Sequence, residues 1–271
     1  MKVGVAKTGN IASSLVLELL LDELAERKDL EVQVFGSGAK MTPDACRSVL
    51  SGIKPNEFDF VVYVTPNPSN PGPRELIEGL KGTPLVVVSD ATGIRIKEKL
   101  AEADLGYIFI TGDAIIGARR EFLDPIEMSI FNGDMLTILS VTGAFRAMQE
   151  ALDSAISSAK KGKINLPRLI VDGGMALKYS GLKNPYAIAK ARAAYEMAEK
   201  VNELNLKACF TIKEPSEYMS LVAASHEMAR EAAKLADEAR ELDKATDSLL
   251  RRPHSPDGAQ LEKRTFADKP S

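Results

Sequence analysis

The chain has 271 residues, of which 45% are hydrophobic and 27% are charged, and its 35 Lys and Arg residues stand against 38 Asp and Glu residues. This composition excludes an intrinsically disordered chain, because it supplies enough apolar side chains for a sizeable core. The small net charge of −3 argues against a nucleic-acid partner, since no sustained positive field faces a phosphate backbone. We expect one large domain or two small ones.

The cysteines and the length of the apolar runs further limit the class of protein to which the chain can belong. The two cysteines, Cys46 and Cys209, are far apart and neither belongs to a Cys-x-x-Cys motif, so neither a disulfide framework nor a thiolate metal site is indicated. The apolar runs fall short of the roughly 20 residues that a membrane span requires. Residues 1–7 indicate a strand and not a signal peptide, since no cleavage site follows an apolar core. We therefore expect a soluble cytoplasmic protein that does not bind a membrane.

The first 113 residues repeat a short apolar run, a polar loop and an amphipathic helix. Runs of Val, Ile and Phe without alternating polar residues are typical of strands covered on both faces. Two helix starts are recognisable, one at Asn10 and one at Thr42, where Pro43 takes the first helical position. The pattern predicts an α/β fold with a doubly wound, mainly parallel sheet of about five strands. The predicted strands are Lys2–Lys7, Glu31–Gly36, Phe58–Val64, Leu85–Ser89 and Tyr107–Thr111.

Long helical stretches replace this alternation from about Pro125 onwards. The change predicts an α/β domain over residues 1–124, with its ligand site at the carboxyl ends of the strands, and a helical bundle over residues 125–250. Within the bundle, two short strands near 168–172 and 207–212 are expected to pair in a small sheet of their own.

The last predicted helix, residues 215–250, carries an apolar, alanine-rich seam at steps of three and four residues. Such a seam packs against another helix, either within the chain or in a neighbouring subunit. The tail that follows, residues 251–271, shows little apolar periodicity, and we expect it to be mobile. The two histidines, His226 in the helix and His254 in the tail, predict neither a metal site nor a catalytic triad.

The loops after the five predicted strands are the expected ligand site, because ligands of an open parallel sheet bind beyond the carboxyl ends of its strands. Each loop carries small residues with one or two polar groups. None matches the dinucleotide fingerprint, since Met41 stands where a third glycine would follow Gly36 and Gly38. Backbone amides with Lys7 or Lys40 can nevertheless hold an anion at a helix N-terminus.

Two carboxylates occupy equivalent positions, with Asp90 after the fourth predicted strand and Asp113 after the fifth. Neighbouring loops would bring both to one rim of the site. There they would stabilise a cationic substrate or a positive charge that develops during reaction. The alternative is that each carboxylate caps the helix that follows it.

The densest polar stretch is residues 117–128. Because Arg119 and Arg120 are adjacent, they point in different directions on a helix, so one can pair with Glu121 or Asp124 while the other reaches a ligand anion. Asp124 before Pro125 is also a good helix start, and taken alone this structural explanation is the stronger one.

At these residues the sequence resembles the archaeal coenzyme F420-dependent methylenetetrahydromethanopterin dehydrogenases, over about residues 1–250. The most specific motif runs over residues 116–125, Ile-Gly-Ala-Arg-Arg-Glu-Phe-Leu-Asp-Pro. Further matching motifs lie at residues 3–11, 37–41, 59–64, 66–68 and 71–73.

The resemblance implies reversible hydride transfer between the methylene carbon of tetrahydromethanopterin, or its sarcinapterin relative, and C5 of the deazaflavin ring of coenzyme F420. The resemblance further implies that F420 acts as a cosubstrate, that no metal or flavin takes part, and that the subunits form homohexamers. Hydride loss leaves positive charge on the N–C–N unit, which a nearby carboxylate would stabilise. Asp90, Asp113 and Glu121 are the candidates for that role. The cofactor-binding candidates are Lys7, Asn10, Ser37, Lys40, Thr65, Asn67, Arg119 and Arg120, with the four basic residues assigned to the acidic tails of the two coenzymes.

Two alternatives stay open at this point. One is an NAD-dependent pterin dehydrogenase, and the other is a non-catalytic α/β ligand-binding or assembly protein that keeps the fold and its helical seam.

Overall fold

A computed structural model describes residues 1–54, 57–117, 119 and 121–271. The chain forms two compact units. Two later segments of the chain, Met148–Ile170 and Arg252–Leu261, also belong to the first unit. The first unit comprises Met1–Ile110, Met148–Ile170 and Arg252–Leu261, and the second comprises Thr111–Ala147, Val171–Arg251 and Glu262–Ser271.

The sheet has six strands in the order β2-β1-β3-β4-β5-β6, and the pairings among the first five are parallel. Every residue of β3 and β4 is buried, which explains their continuous apolar sequences. The strand order reverses between β1 and β3, and such a switch point opens a crevice for ligands beyond the strand ends. The strands are β1 Lys2–Lys7, β2 Glu31–Gly36, β3 Phe60–Val64, β4 Leu85–Ser89, β5 Gly106–Ile110 and β6 Arg168–Val171.

The α/β fold with a parallel sheet is confirmed, and β1, β2 and β4 have the predicted bounds. The strand at Arg168–Val171 joins the main sheet beside β5 instead of forming a small sheet of its own. The backbone N–H of Tyr107 donates to the carbonyl of Pro167 at 2.7 Å. A Cβ on Gly106 would lie 2.9 Å from that carbonyl oxygen, so the glycine permits the close approach of the two chains.

The predicted strand at residues 207–212 is wrong. Residues Lys207–Thr211 form a π-helical turn that follows the preceding helix directly, and the Ile212 N–H donates to the Lys207 carbonyl at 3.1 Å. The side chain of Arg119 binds the carbonyls of Ala208 and Ile212, which satisfies backbone acceptors at the end of the helix. This partner is distant in sequence, so the local apolar pattern could not reveal it.

Of the two helix starts predicted in the first unit, the one at Thr42 is confirmed, whereas the first helix, Ala12–Leu21, has Ile11 and not Asn10 at its N-cap. Thr42 Oγ1 accepts a hydrogen bond from the Ala45 N–H at 3.3 Å, with Pro43 in the first turn, as predicted. Leu76 and Leu100 pack with Phe109 of β5 in the apolar core of this unit. The helices are α1 Ala12–Leu21, α2 Pro43–Gly52, α3 Pro71–Gly79, a 3-10 helix Ala91–Ile96 and α4 Lys97–Glu102.

The later helices are α5 Pro125–Val141, α6 Ala144–Lys160, α7 Gly173–Tyr179, α8 Pro185–Leu206 and α9 Pro215–Ala245. In the second unit, buried alanines let α8 and α9 pack closely, among them Ala187 and Ala191 of α8 and Ala239 of α9. The alanine-rich seam therefore packs within the chain. Among the described residues, no helix combines the length and the apolar character needed to cross a membrane.

The tail for which mobility is predicted makes defined contacts. Arg251 pairs with Lys263, and His254 pairs with Gln260, in antiparallel bridges. In the first unit, the buried imidazole of His254 lies 2.9 Å from Glu23 Oε1 through Nδ1 and 2.9 Å from Asp153 Oδ2 through Nε2. These contacts of the segment are polar, so apolar periodicity in the sequence does not indicate them.

Candidate active site

Three buried hydroxyls lie at the carboxyl ends of β1 and β3 in the first unit. Thr8 Oγ1 lies 2.7 Å from the Tyr63 hydroxyl and 3.3 Å from Thr65 Oγ1, and all three residues are fully buried. Burial raises the pKa of Tyr63 far above its ordinary value, so the phenol is neutral at physiological pH. The cluster forms an uncharged support at the switch point of the sheet.

The loops after β1, β2 and β3 converge beside these hydroxyls. The Gly9 N–H donates to the Gly38 carbonyl at 2.8 Å, and Gly9 has a φ of +75°. A Cβ on Gly9 would lie 2.7 Å from Pro66 Cδ and 2.9 Å from Met41 Sδ, so only glycine fits there. Gly38 also has a positive φ, of +63°, but a Cβ on it would meet nothing within 4 Å. The rim at Gly38 therefore faces open space.

Asp90, after β4, is fully buried. Its Oδ1 accepts a hydrogen bond from the Thr92 N–H at 2.8 Å, which caps the 3-10 helix and confirms the capping alternative. Ser89 Oγ donates to the Pro66 carbonyl at 3.3 Å, which ties the loops after β3 and β4 together. A role for Asp90 toward a ligand stays a prediction.

Some of the other candidate side chains of the first unit are hydrogen-bonded within the chain, and others are exposed. Lys7 Nζ donates to the Ser14 carbonyl at 2.9 Å and forms an ion pair with Glu18. Ser37 Oγ donates to the backbone carbonyl of Lys40 at 2.6 Å, while the Lys40 residue is exposed. Asn10 and Asn67 are half-buried, and Asn67 Oδ1 accepts from the Ser69 N–H at 3.1 Å. Thr65, as described above, belongs to the hydroxyl cluster.

The segment after β5 belongs to the second unit, where Asp113 is fully buried. Two residues of α8 bind this segment. The Tyr195 hydroxyl accepts from the Gly112 N–H at 3.2 Å and donates to the Val171 carbonyl at 2.6 Å. The Thr111 hydroxyl donates to Glu199 at 2.5 Å. Burial raises the pKa of Glu199, and the hydrogen bond from Thr111 partly opposes that rise.

Arg119 is held by the second unit itself. Its guanidinium donates to the Ala208 carbonyl at 2.7 Å and to the Ile212 carbonyl at 2.6 Å, and it lies 4.1 Å from the centroid of the Tyr218 ring. Each of these contacts is internal, and none of the described ion pairs joins Arg119 to Glu121 or Asp124. Arg120 lies outside the described residues, and Glu121 is exposed.

The helix start predicted at Asp124 is confirmed. Its Oδ1 accepts from the backbone N–H groups of Ile126 at 2.6 Å and Glu127 at 2.9 Å, with Pro125 in the first turn.

Buried polar groups also surround Gly117. Asn205 Nδ2 donates to the Ile115 carbonyl at 2.7 Å, and Ser225 Oγ donates to the side-chain oxygen of Asn205. A Cβ on Gly117 would lie 2.8 Å from Val222 Cγ1, so glycine is required for this close packing. Burial lowers the pKa of His226, which is neutral near pH 7. No group of three or more His, Cys, Asp or Glu side chains that could hold a metal ion occurs among the residues that the structure describes.

The whole chain matches one family of known proteins. A family model described as methylene-5,6,7,8-tetrahydromethanopterin dehydrogenase matches residues 1–271. The chain belongs to this family. The match confirms the resemblance found in the sequence and extends it over the tail, which the sequence motifs left unmatched.

Relatives of this dehydrogenase family cover the same length. The F420-dependent methylenetetrahydromethanopterin dehydrogenase of Methanocaldococcus jannaschii is 48% identical over 100% of this chain and 99% of its own. That of Methanothermobacter marburgensis is 45% identical with the same coverage. A solved structure of F420-dependent methylene-tetrahydromethanopterin dehydrogenase, in complex with methylene-tetrahydromethanopterin and coenzyme F420, matches with a TM-score of 0.95 at 44% identity, and it covers 100% of this chain and 99% of that one.

Several residues that shape the loops of this dehydrogenase are not among those predicted from its sequence. Tyr63 could have been found as the one hydroxyl-bearing residue within an otherwise apolar strand. Tyr195 and Glu199 lie four residues apart on α8, a spacing that places both on one helix face. Their partners Gly112 and Thr111 are more than 80 residues away, so the pattern alone does not reveal the contact.

Proposed function

We propose that the chain catalyses reversible hydride transfer between 5,10-methylenetetrahydromethanopterin and oxidised coenzyme F420, giving 5,10-methenyltetrahydromethanopterin and reduced F420. The supporting observation is the full-length match, with a TM-score of 0.95, to a dehydrogenase solved with both compounds. The deazaflavin ring of F420 supplies the hydride acceptor at C5, and one proton from solvent balances the reduction. In the cell the reaction belongs to methane formation from carbon dioxide or to its reversal.

The residues of the first unit fit two organic coenzymes that react by alignment. Small residues and neutral hydroxyls line the switch point, and the rim at Gly38 leaves room that a side chain would fill. Hydride transfer needs the donor and acceptor carbons held at about 3–3.5 Å, and no group has to move a proton at the carbon. A rigid sheet edge with tightly bonded loops suits that task.

Individual roles follow from charge and burial. Asp90 has a buried carboxylate at this edge, so we assign it to stabilise the positive charge of the methenyl product. Asp113 and Glu121 remain candidates for the same role. Lys40 is assigned to an acidic coenzyme tail, because its side chain is exposed on the loop after β2. Asn10, Ser37, Thr65 and Asn67 are assigned to position the rings. The tail-binding roles of Lys7, Arg119 and Arg120 also stay predictions.

The test is a spectrophotometric assay of the purified chain with oxidised F420 and methylenetetrahydromethanopterin. We expect the absorbance of oxidised F420 to fall when both compounds are present, and NAD to produce no reaction in its place. Turnover of methylenetetrahydromethanopterin with NAD but not with F420 would identify the NAD-dependent alternative. Binding of both compounds without turnover would identify the non-catalytic alternative.

Assembly and location are part of the proposal. A homohexamer is proposed because the family resemblance implies it, and the exposed apolar residues Ile126 and Ile130 of α5 offer a surface for a subunit contact. Light scattering should give six times the 29.3 kDa chain mass, and a monomer would contradict this assignment. A cytoplasmic location is in keeping with the free thiols Cys46 and Cys209, and fractionation of the source cells tests it.

A further inference from the structure

A basic cavity lies on the flank of the first unit, between α3 and the segment formed by the 3-10 helix and α4. Its volume is about 290 Å³, and it opens beside Pro68 and Ser69 of the loop after β3. None of the side chains assigned above to hydride transfer lines it.

The cavity concentrates positive charge on a chain whose net charge is −3. Arg74, Lys81, Arg95 and Lys99 line it together with one carboxylate, Glu78. Glu78 forms an ion pair with Lys81. Within the described part of the chain, the other three cations have no ion-pair partner. Arg74, Arg95 and Lys99 are exposed residues that line one cavity, and an anionic ligand placed there would be attracted by all three.

The floor of the cavity is apolar and well packed. Ile77, Leu100 and Leu105 are at most 7% exposed, and they belong to the core of the first unit. The hydroxyl oxygen of Ser69 is buried at the edge of the cavity and has no hydrogen-bond partner among the residues that the structure describes. A ligand with an apolar group on the floor and negatively charged oxygens toward the rim would contact the apolar floor, the cations and the Ser69 hydroxyl.

We propose that this cavity binds a small organic anion that carries a doubly charged oxyanion group beside a short apolar portion. The guanidinium groups of Arg74 and Arg95 match phosphate or paired carboxylates, which they bind through two parallel hydrogen bonds. The cavity is at the small end of the range for ligand pockets, which limits the occupant to a fragment such as a phosphomonoester. The oxyanion can belong to the acidic tail of a coenzyme or to a separate small molecule. The binding test requires no turnover and is therefore independent of the proposed dehydrogenase activity.

The probe is phenyl phosphate, with binding to the full chain measured by calorimetry at low salt. We expect saturable binding that the double variant Arg74→Gln with Arg95→Gln weakens by about tenfold or more, since each charge-assisted hydrogen bond contributes strongly. The matched control is Arg47→Gln with Lys97→Gln, which changes the net charge equally in the same unit but removes no residue that lines the cavity. The control should bind within about twofold of the unmodified chain.

Inorganic phosphate should bind more weakly than phenyl phosphate, because it lacks the group that covers the apolar floor. Equal affinity for both probes would overturn the apolar part of the proposal. An absence of phenyl phosphate binding, or equal binding by the double variant when urea unfolding shows that it is folded, would overturn the site. Competition then identifies the source: if F420 displaces the probe and its tail-less ring analogue does not, the ligand is the coenzyme tail. If neither displaces the probe, the ligand is a separate anion.

Discussion

The loops after the first three strands and the segment after β5 use their polar side chains differently. In the first unit, the short hydroxyls of Thr8, Tyr63 and Thr65 bond to one another, and the backbone of Gly9 and Gly38 forms the rim. In the second unit, the long side chain of Arg119 reaches backbone carbonyls of a distant helix end. The first arrangement leaves a backbone edge open to a ligand, while the second fixes a segment by internal bonds.

The most recognisable sequence motif, residues 116–125, and the open edge of the sheet at β1 and β3 are therefore separate features. Residues 116–125 identify the family, yet the described contacts of Gly117, Arg119 and Asp124 within that motif are packing, carbonyl binding and helix capping. The edge at β1 and β3 consists of small residues whose contribution is backbone geometry. Substitutions in the two regions should therefore have different consequences.

The largest effect is expected at Gly9. Gly9→Ala places a side chain at positive φ and 2.7 Å from Pro66 Cδ, which should lower the free energy of unfolding by about 3 kcal/mol. Gly38→Ala is the matched control, because its φ is also positive but its Cβ meets nothing within 4 Å. The control should cost about 1 kcal/mol. Urea unfolding measures both, and equal costs would show that the loop contacts around Gly9 are loose.

The next largest effect on stability is expected at Arg119 of the second unit, and Lys40 of the first unit serves as the comparison. Arg119→Met removes the donors to Ala208 and Ile212 and should lower the free energy of unfolding by about 2 kcal/mol. Lys40→Gln changes an exposed side chain, and we expect a change of less than about 0.5 kcal/mol. If Arg119→Met unfolds at the same urea concentration as the unmodified chain, its internal bonds do not stabilise the second unit.

A smaller and pH-dependent effect is expected at His254, in the tail segment of the first unit. The hydrogen bond to Asp153 raises the pKa of His254, burial opposes this, and the hydrogen bond to Glu23 adds to the rise. Because the folded pKa lies above the unfolded one, the stabilisation is complete below about pH 6.5 and is lost as pH rises through the folded pKa.

His254→Gln should therefore cost about 1–2 kcal/mol of unfolding free energy at pH 6 and clearly less at pH 9. Urea unfolding of both proteins at the two pH values measures this. A cost that does not change with pH would mean that the imidazolium does not hold the tail.

The sequence predicts those parts of this protein that depend on neighbouring residues. The bounds of β1, β2 and β4 and the caps at Thr42 and Asp124 follow from local apolar runs and helix-start residues. The π-helical turn at Lys207–Thr211 depends on Arg119, which lies 89 residues from Ala208. A local sequence pattern cannot indicate a contact between residues so far apart in the chain.

The tail shows the same limit more strongly. Its contacts include the pair of His254 and Glu23, which are 231 residues apart, so only the folded chain reveals the pair. At the candidate site the sequence predicts that the loops at the carboxyl ends of the strands carry the polar groups, but the strand order that brings particular loops together is known only from the folded chain. The sequence offers helix capping as one interpretation of Asp90, which the structure confirms, but it does not predict that Lys7 donates to the Ser14 carbonyl.

The most direct test of the central claim measures single-turnover reduction of F420 by Asp90→Asn with both substrates saturating. The amide can keep the Oδ1 that caps the 3-10 helix, and it removes the negative charge by replacing Oδ2 with an NH2 group. Asp44→Asn, on the exposed start of α2, is the matched control. We predict that hydride transfer slows by about 100-fold or more in Asp90→Asn, since one well-placed electrostatic group contributes on that scale, and stays unchanged in the control. Equal rates in Asp90→Asn and the unmodified chain would contradict the role of this carboxylate at the edge of the sheet.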